Sequence, residues 1–149
     1  MEDFAGSYLA RRNDIFAMPR NQNHTIAIFH FGGIAIECRL KSLLLEYHRI
    51  NKFDENSNRP KDSMYNQTVM NPSHGLKTAL KRMPDFYKKA QSDIHLLKHL
   101  QTIIYPLGST EVDYIDLRYI PQTTQSQEDW KKSFDYVCGW LEKNEKTIL

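Results

Sequence analysis

Apolar residues along this chain recur at the spacing of helix faces, not at the alternation of strands. In FHFGGIAIECRLKSLLLEYH, residues 29–48, the positions Phe29, Gly33, Ile36, Leu40, Leu43 and Tyr47 are separated by 4, 3, 4, 3 and 4 residues. That is one face of an α-helix. Phe31, Ile34, Cys38 and Leu45 widen the stripe, while His30, Glu37, Lys41 and His48 gather on another side. The pattern predicts a helix from near Asn23 to around Ile50, about 40 Å long at 1.5 Å per residue. Two glycines inside it need a reason, because each costs roughly 1 kcal/mol against alanine in a helix interior. Close approach of another helix at Gly32 and Gly33 is the expected use. A kink is the second option, and a phosphate loop is a poor third, since neither GxGxxG nor a P-loop is present.

The rest of the chain is punctuated by turn-forming residues. NKFDENSNRPKDSMYNQTVMNP, residues 51–72, has no apolar period and predicts a long surface loop. Ser73 is placed to cap a short helix through Leu76, Leu80 and Met83. Pro84 suits the first turn of the next helix, whose period runs through Phe86, Ala90, Ile94, Leu97 and Ile104 until Pro106. Residues 108–125 predict another irregular connection. Thr124 with Gln127, or Ser126 with Asp129, can cap a last helix in which Trp130, Phe134, Val137 and Leu141 form the core stripe. A shorter helix through Tyr8, Ile15 and Phe16 opens the chain. With no strand pair and no internal repeat, the expectation is a single all-α domain over residues 1–149. Its architecture is an antiparallel, up-and-down bundle of four to five helices.

Composition changes this picture little. A chain of 149 residues is of one-domain size. With 20 basic and 18 acidic side chains, the net charge of +2 is too balanced to predict nucleic-acid or membrane binding from field strength. The residues Arg11, Arg12, Lys77, Lys81, Arg82, Lys88 and Lys89 read as scattered solvated charges, with a gathered RNA-binding patch as the sharper alternative. Glu37, Arg39, Lys41 and Glu46 exclude a membrane span from the most apolar run. The opening MEDFAGSYLARRND has acids at once and lacks a basic-then-apolar signal pattern. Two cysteines, Cys38 and Cys138, form no CxxC, so a reducing, cytoplasmic setting is expected.

HFGGIAIECRLKSLLLEY resembles the signature helix of the HEPN family (higher eukaryotes and prokaryotes nucleotide-binding), through Gly33, Glu37, Cys38, Leu40 and Lys41. SHGLKTAL resembles the family's His-containing start of a middle helix. LRYIP, followed by a capped helix with WLEK, is similar to its C-terminal pattern through Leu117, Arg118, Tyr119, Pro121 and Trp140. The likeness spans roughly Asn23 to Lys143. It implies an up-and-down helical bundle, often a homodimer through its long helices. Many members are metal-independent RNases in toxin–antitoxin or defence systems, commonly paired with a nucleotidyltransferase; others bind nucleotides, RNA or a protein without catalysis. The nuclease members carry an Arg followed after four to six residues by a His, usually near the last helix.

No arginine here has a histidine at that spacing, and no histidine follows His99. The side chain best suited to proton transfer near neutral pH is therefore missing from the last helix. The expectation is a non-catalytic HEPN-like binding or regulatory module, probed at four candidate ligand-binding residues. Glu37 and Lys41 either line a pocket across a dimer or form an intrahelical surface pair. Arg118 and Tyr119 either meet a phosphate and a base, or peg their loop to the bundle by a salt bridge and ring packing. The runner-up is a metal-independent RNase with a displaced site using Glu37, Lys41 or Arg118. A purely structural partner of a nucleotidyltransferase is the third reading. No cofactor is expected. His95 and His99 sit at i,i+4 but lack HExxH and a third ligand, His74 reads as a cap or packing residue, and Cys38 as a buried small hydrophobe.

Overall fold

In a computed structural model, residues 3–17, 24–53 and 69–148 are described. Six α-helices follow in order: α1 (Phe4–Ala17), α2 (Thr25–His48), α3 (Leu76–Lys81), α4 (Pro84–Gln91), α5 (Ile94–Ile104) and α6 (Gln127–Ile148). A 3₁₀ turn at Asp116–Tyr119 lies in the connection before α6. The described residues form an all-helical bundle, and none of its helices is long and apolar enough to cross a membrane. Residues 54–68, most of the expected 51–72 loop, lie outside the described residues, as does Asn23.

The 24-residue α2 is the axis of the bundle. Ile28, Phe29, Ala35, Ile36, Leu40, Leu43, Leu44 and Tyr47 are all buried on it. Arg49 ends it in the left-handed region at φ 56°, and the amides of Arg49 and Ile50 close back onto the carbonyls of Glu46 and Leu45. The polar line does not face solvent as its side of the helix suggests: Glu37, Lys41 and His48 are buried too. Each is used. His48 Nε2 lies 2.7 Å from the Arg82 carbonyl, and Tyr47 donates to Asp85 at 3.1 Å, tying the end of α2 to α3 and α4.

The glycines are close-approach points, but aromatic rings fill them where a helix backbone was expected. A Cβ on Gly32 would sit 2.2 Å from the Trp130 ring on α6. One on Gly33 would sit 2.3 Å from the Tyr114 ring in the α5–α6 connection. Trp130 stacks on Phe134 at 5.1 Å and packs against Phe29 at 5.2 Å, so Gly32 seats the main aromatic cluster of the core.

Three local expectations are corrected. Six helices replace four or five, because the expected run from Phe86 to Ile104 is two helices broken at Ser92–Asp93. There the Asp93 carboxylate accepts from the amides of His95 and Leu96, a side-chain cap stronger than helix continuation. Ala90 and Ile94 are four apart, so periodicity hides the break; Ile94 is in fact 65% exposed. Ser73 does not cap α3. It adopts φ 55° and its amide donates to Asn71, while Gly75 takes the cap position. Phe16 is exposed, whereas Tyr8 and Ile15 are buried. For α6 the Ser126–Asp129 alternative holds, with the Asp129 amide donating to Ser126 Oγ at 3.2 Å.

Gly32→Ala and Gly33→Ala should each destabilise the fold by about 1–3 kcal/mol through overpacking, against the usual helical gain from alanine. Urea unfolding of the two variants checks this. Asp93 also accepts from Tyr136 at 2.7 Å, which, with the two amides, holds its carboxyl below the ordinary carboxylate range. Its contribution is therefore present above that range and is lost as pH falls through the lowered value. Asp93→Ala should lower Tm at neutral pH, with the difference from the parent chain narrowing in acid.

Candidate functional site

Gly33, Glu37 and Lys41 are spaced i, i+4, i+8 and so lie in one line along α2. Because Gly33 has no side chain, the Tyr114 ring lies across the helix there, and its hydroxyl reaches one turn further to Glu37. Tyr114 Oη donates to Glu37 Oε1 at 2.6 Å and lies 2.9 Å from the His74 carbonyl. His74 Nδ1 meets the same Oε1 at 2.8 Å, and Lys41 Nζ donates to Oε2 at 3.1 Å. One carboxylate thus gathers donors from α2, from the approach to α3 and from the α5–α6 connection. The ammonium of Lys41 also lies 5.5 Å from the Phe4 ring of α1.

Tyr114 is itself held at both backbone ends. Its amide donates to the Ile104 carbonyl at 3.0 Å, and its carbonyl lies 2.7 Å from His30 Nδ1. Burial, then the Glu37 carboxylate, push its hydroxyl well above the ordinary phenol range, so it stays a donor at physiological pH. Asp113 Oδ1 accepts from the amides of Ile115 and Asp116 and starts the 3₁₀ turn.

Glu37 and Lys41 are therefore together, but their pair is not on the surface: their side chains are 10% and 8% exposed. Arg118 and Tyr119 form a separate pair, the guanidinium 5.3 Å from the ring. No hydrogen bond or ion pair among the described residues joins them to Glu37 or Lys41. Nor do they peg the loop: Arg118 donates to Ile115 of its own turn, and Tyr119 is 79% exposed. Buried Tyr114 and Leu117 do the pegging.

Sequence reasoning missed His74 and Tyr114. His74 is a partner of Glu37 rather than a cap, and its side chain remains 56% exposed. A carboxylate only accepts, so Nδ1 carries the proton and Nε2 is left as the ring atom able to meet a ligand. His74 lies 37 residues from Glu37 and Tyr114 lies 77, so no spacing could announce the cluster.

Other chemistry-bearing residues are occupied elsewhere. His99 Nδ1 meets Ser133 Oγ at 2.8 Å, its ring lies on Tyr136, and His95 is exposed. Among the described residues no three His, Cys, Asp or Glu side chains gather as a metal site. Cys38 and Cys138 are both buried and are not joined in a disulfide, and burial pushes the Cys138 thiol up to about 11. Of the basic residues, Arg11 pairs with Asp14, Lys81 lies over Tyr87, and Arg82 donates to the Met70 carbonyl. A cavity of about 450 Å³ lies between Ile15, Ile28 and the start of α6, and holds none of the four candidates.

Removing Glu37 strands the buried Lys41 charge, whereas removing the Tyr114 hydroxyl strands only one acceptor lobe of the carboxylate. Glu37→Ala should therefore cost about 3–5 kcal/mol, and Tyr114→Phe about 1–3 kcal/mol. Urea denaturation should return them in that order; equal effects would mean that Lys41 is not held by Glu37.

In comparison with known proteins, no family model, no curated protein and no solved structure matches this chain.

Proposed function

We propose that the chain is a HEPN-like binding or regulatory module that recognises a phosphate-bearing ligand, a nucleotide or RNA, without cleaving it. One observation carries this: an imidazole, His74, is oriented by a buried carboxylate and left more than half exposed. When protonated, its Nε2 is a donor suited to a phosphate oxygen. The exposed Arg118–Tyr119 pair offers a guanidinium and a ring of the kind that meet a phosphate and a base. Resemblance to HEPN proteins through Gly33, Glu37, Cys38, Leu40 and Lys41 points the same way, and it extends to homodimerisation and to a nucleotidyltransferase partner.

The reading without cleavage rests on the missing Arg–His spacing of the nuclease members: no arginine is followed by a histidine with four to six residues between them, and Lys41 is turned inward to Glu37 and Phe4.

The second reading, a metal-independent RNase with a displaced site, is favoured by the same Glu37–His74 contact. A carboxylate-oriented imidazole is the arrangement of a general base. Lys41 and Arg118 would then have to supply the charge stabilisation.

Fluorescence anisotropy with short single-stranded RNAs, in EDTA, tests both. Binding should weaken about tenfold or more in His74→Ala and in Arg118→Ala, and the RNA should remain intact on a gel. Cleavage that is lost in His74→Ala would establish the RNase instead. Binding indifferent to both substitutions would remove this face as the site.

A further inference from the structure

Contacts between α2 and α6 climb both helices together. Thr25 Oγ1 accepts from Gln127 Nε2, Gly32 receives the Trp130 ring, and Arg39 pairs with Glu145. The two longest helices therefore run parallel, and their N-terminal ends lie side by side. Each end carries about half a positive charge, so the pairing is unfavourable unless something negative stands near it. α2 supplies nothing of the kind: its first turn holds no acid, and His24 caps it without a side-chain hydrogen bond. The cavity of about 450 Å³ lies at this point, lined by Thr25 and Ile28 of α2, by Glu128, Trp130 and Lys131 of α6, and by Ile15 of α1.

A buried donor marks the same place. Trp130 lines the cavity, is 2% exposed, and its Nε1 is buried with no hydrogen-bond partner. Phe29 and Phe134 pack on the indole, and Gly32 takes its Cζ2–Cη2 edge, which leaves the pyrrole side with Nε1 for the cavity wall. An indole N–H only donates, and a buried donor without an acceptor is costly. Charge then sets the class of ligand. Two helix ends together give about one positive charge; Lys131 adds one and the exposed Glu128 removes one. Asp129, the other acid in the first turn of α6, does not line the cavity. A surplus of about one positive charge suits a monoanion better than a phosphate dianion. We propose that this cavity binds a small monocarboxylic acid. Its carboxylate accepts from Trp130 Nε1 and from first-turn amides of the two helices, and its apolar body lies on Ile15 and Ile28.

The cavity shares no residue with the His74 face, so failure here and failure of RNA binding are separately readable. The test is titration of the full chain with acetate, hexanoate and benzoate at constant pH and ionic strength, followed by proton–nitrogen correlation spectra. Only two indole N–H signals exist, from Trp130 and Trp140, and Trp140→Phe assigns them. Hexanoate should move the Trp130 signal downfield as its proton gains an acceptor, and leave that of Trp140 in place. Hexanoate and benzoate should both bind more tightly than acetate, which has no apolar body to bury. Lys131→Gln should weaken binding about threefold or more, and Glu128→Gln should tighten it by a similar factor. Uncharged benzamide should bind about tenfold more weakly than benzoate. A Trp130 signal unmoved by all three acids, equal movement of both indole signals, binding indifferent to both charge changes, or benzamide as good as benzoate would overturn the proposal.

Discussion

Tyr114 seated against Gly33, with its hydroxyl on Glu37, is the contact on which the middle of this molecule depends. The ring can lie at 2.3 Å from where a Cβ would stand only because residue 33 has none. That position brings the phenol to a carboxylate one helical turn away at 2.6 Å. Without it the connection between α5 and α6 would lose its deepest anchor, and Glu37 would lose one of its three donors. A buried carboxylate with fewer partners is expensive to keep charged. The contact is thus a packing device and an electrostatic one at once.

Because Glu37 is buried and well supplied with donors, it can serve as an orienting group for something less buried. His74 is that group. Its Nδ1 is on Glu37, its own carbonyl lies near the Tyr114 hydroxyl, and its ring reaches solvent. The order from inside outward is Gly33, Tyr114, Glu37 and then His74, a rigid interior supporting one exposed imidazole. Such support is what a binding or proton-transferring side chain needs in order to hold one geometry. Arg118 and Tyr119 are held differently: their turn is fixed from beneath by Leu117 and Tyr114, while their own side chains extend outward.

Gly32 and Gly139 show that equal residues in helices can have opposite settings. Gly32 receives the Trp130 ring from α6 and is consumed by the chain's own core, whereas no atom of the described residues lies within 4 Å of the Cβ position at Gly139.

Helix positions were legible from the sequence alone because periodicity, proline placement and caps act within a few residues. The long helix, the proline start of α4, the Ser126 cap of α6 and the need for close approach at Gly32 and Gly33 all follow from such local terms. The Asp93 cap is local too, but the in-phase spacing of Ala90 and Ile94 concealed it. What filled the glycines, and whether the polar side of α2 faced water, depended on residues up to 98 positions away in sequence, from Gly32 to Trp130. Glu37 and Lys41 could be picked out as a pair from i,i+4 spacing, but their burial could not. Only the packing of α1, the approach to α3 and the α5–α6 connection around α2 decided that. His74 and Tyr114 became site residues for the same reason: a side chain's partners across 37 or 77 residues are set by tertiary contact, which no local pattern encodes.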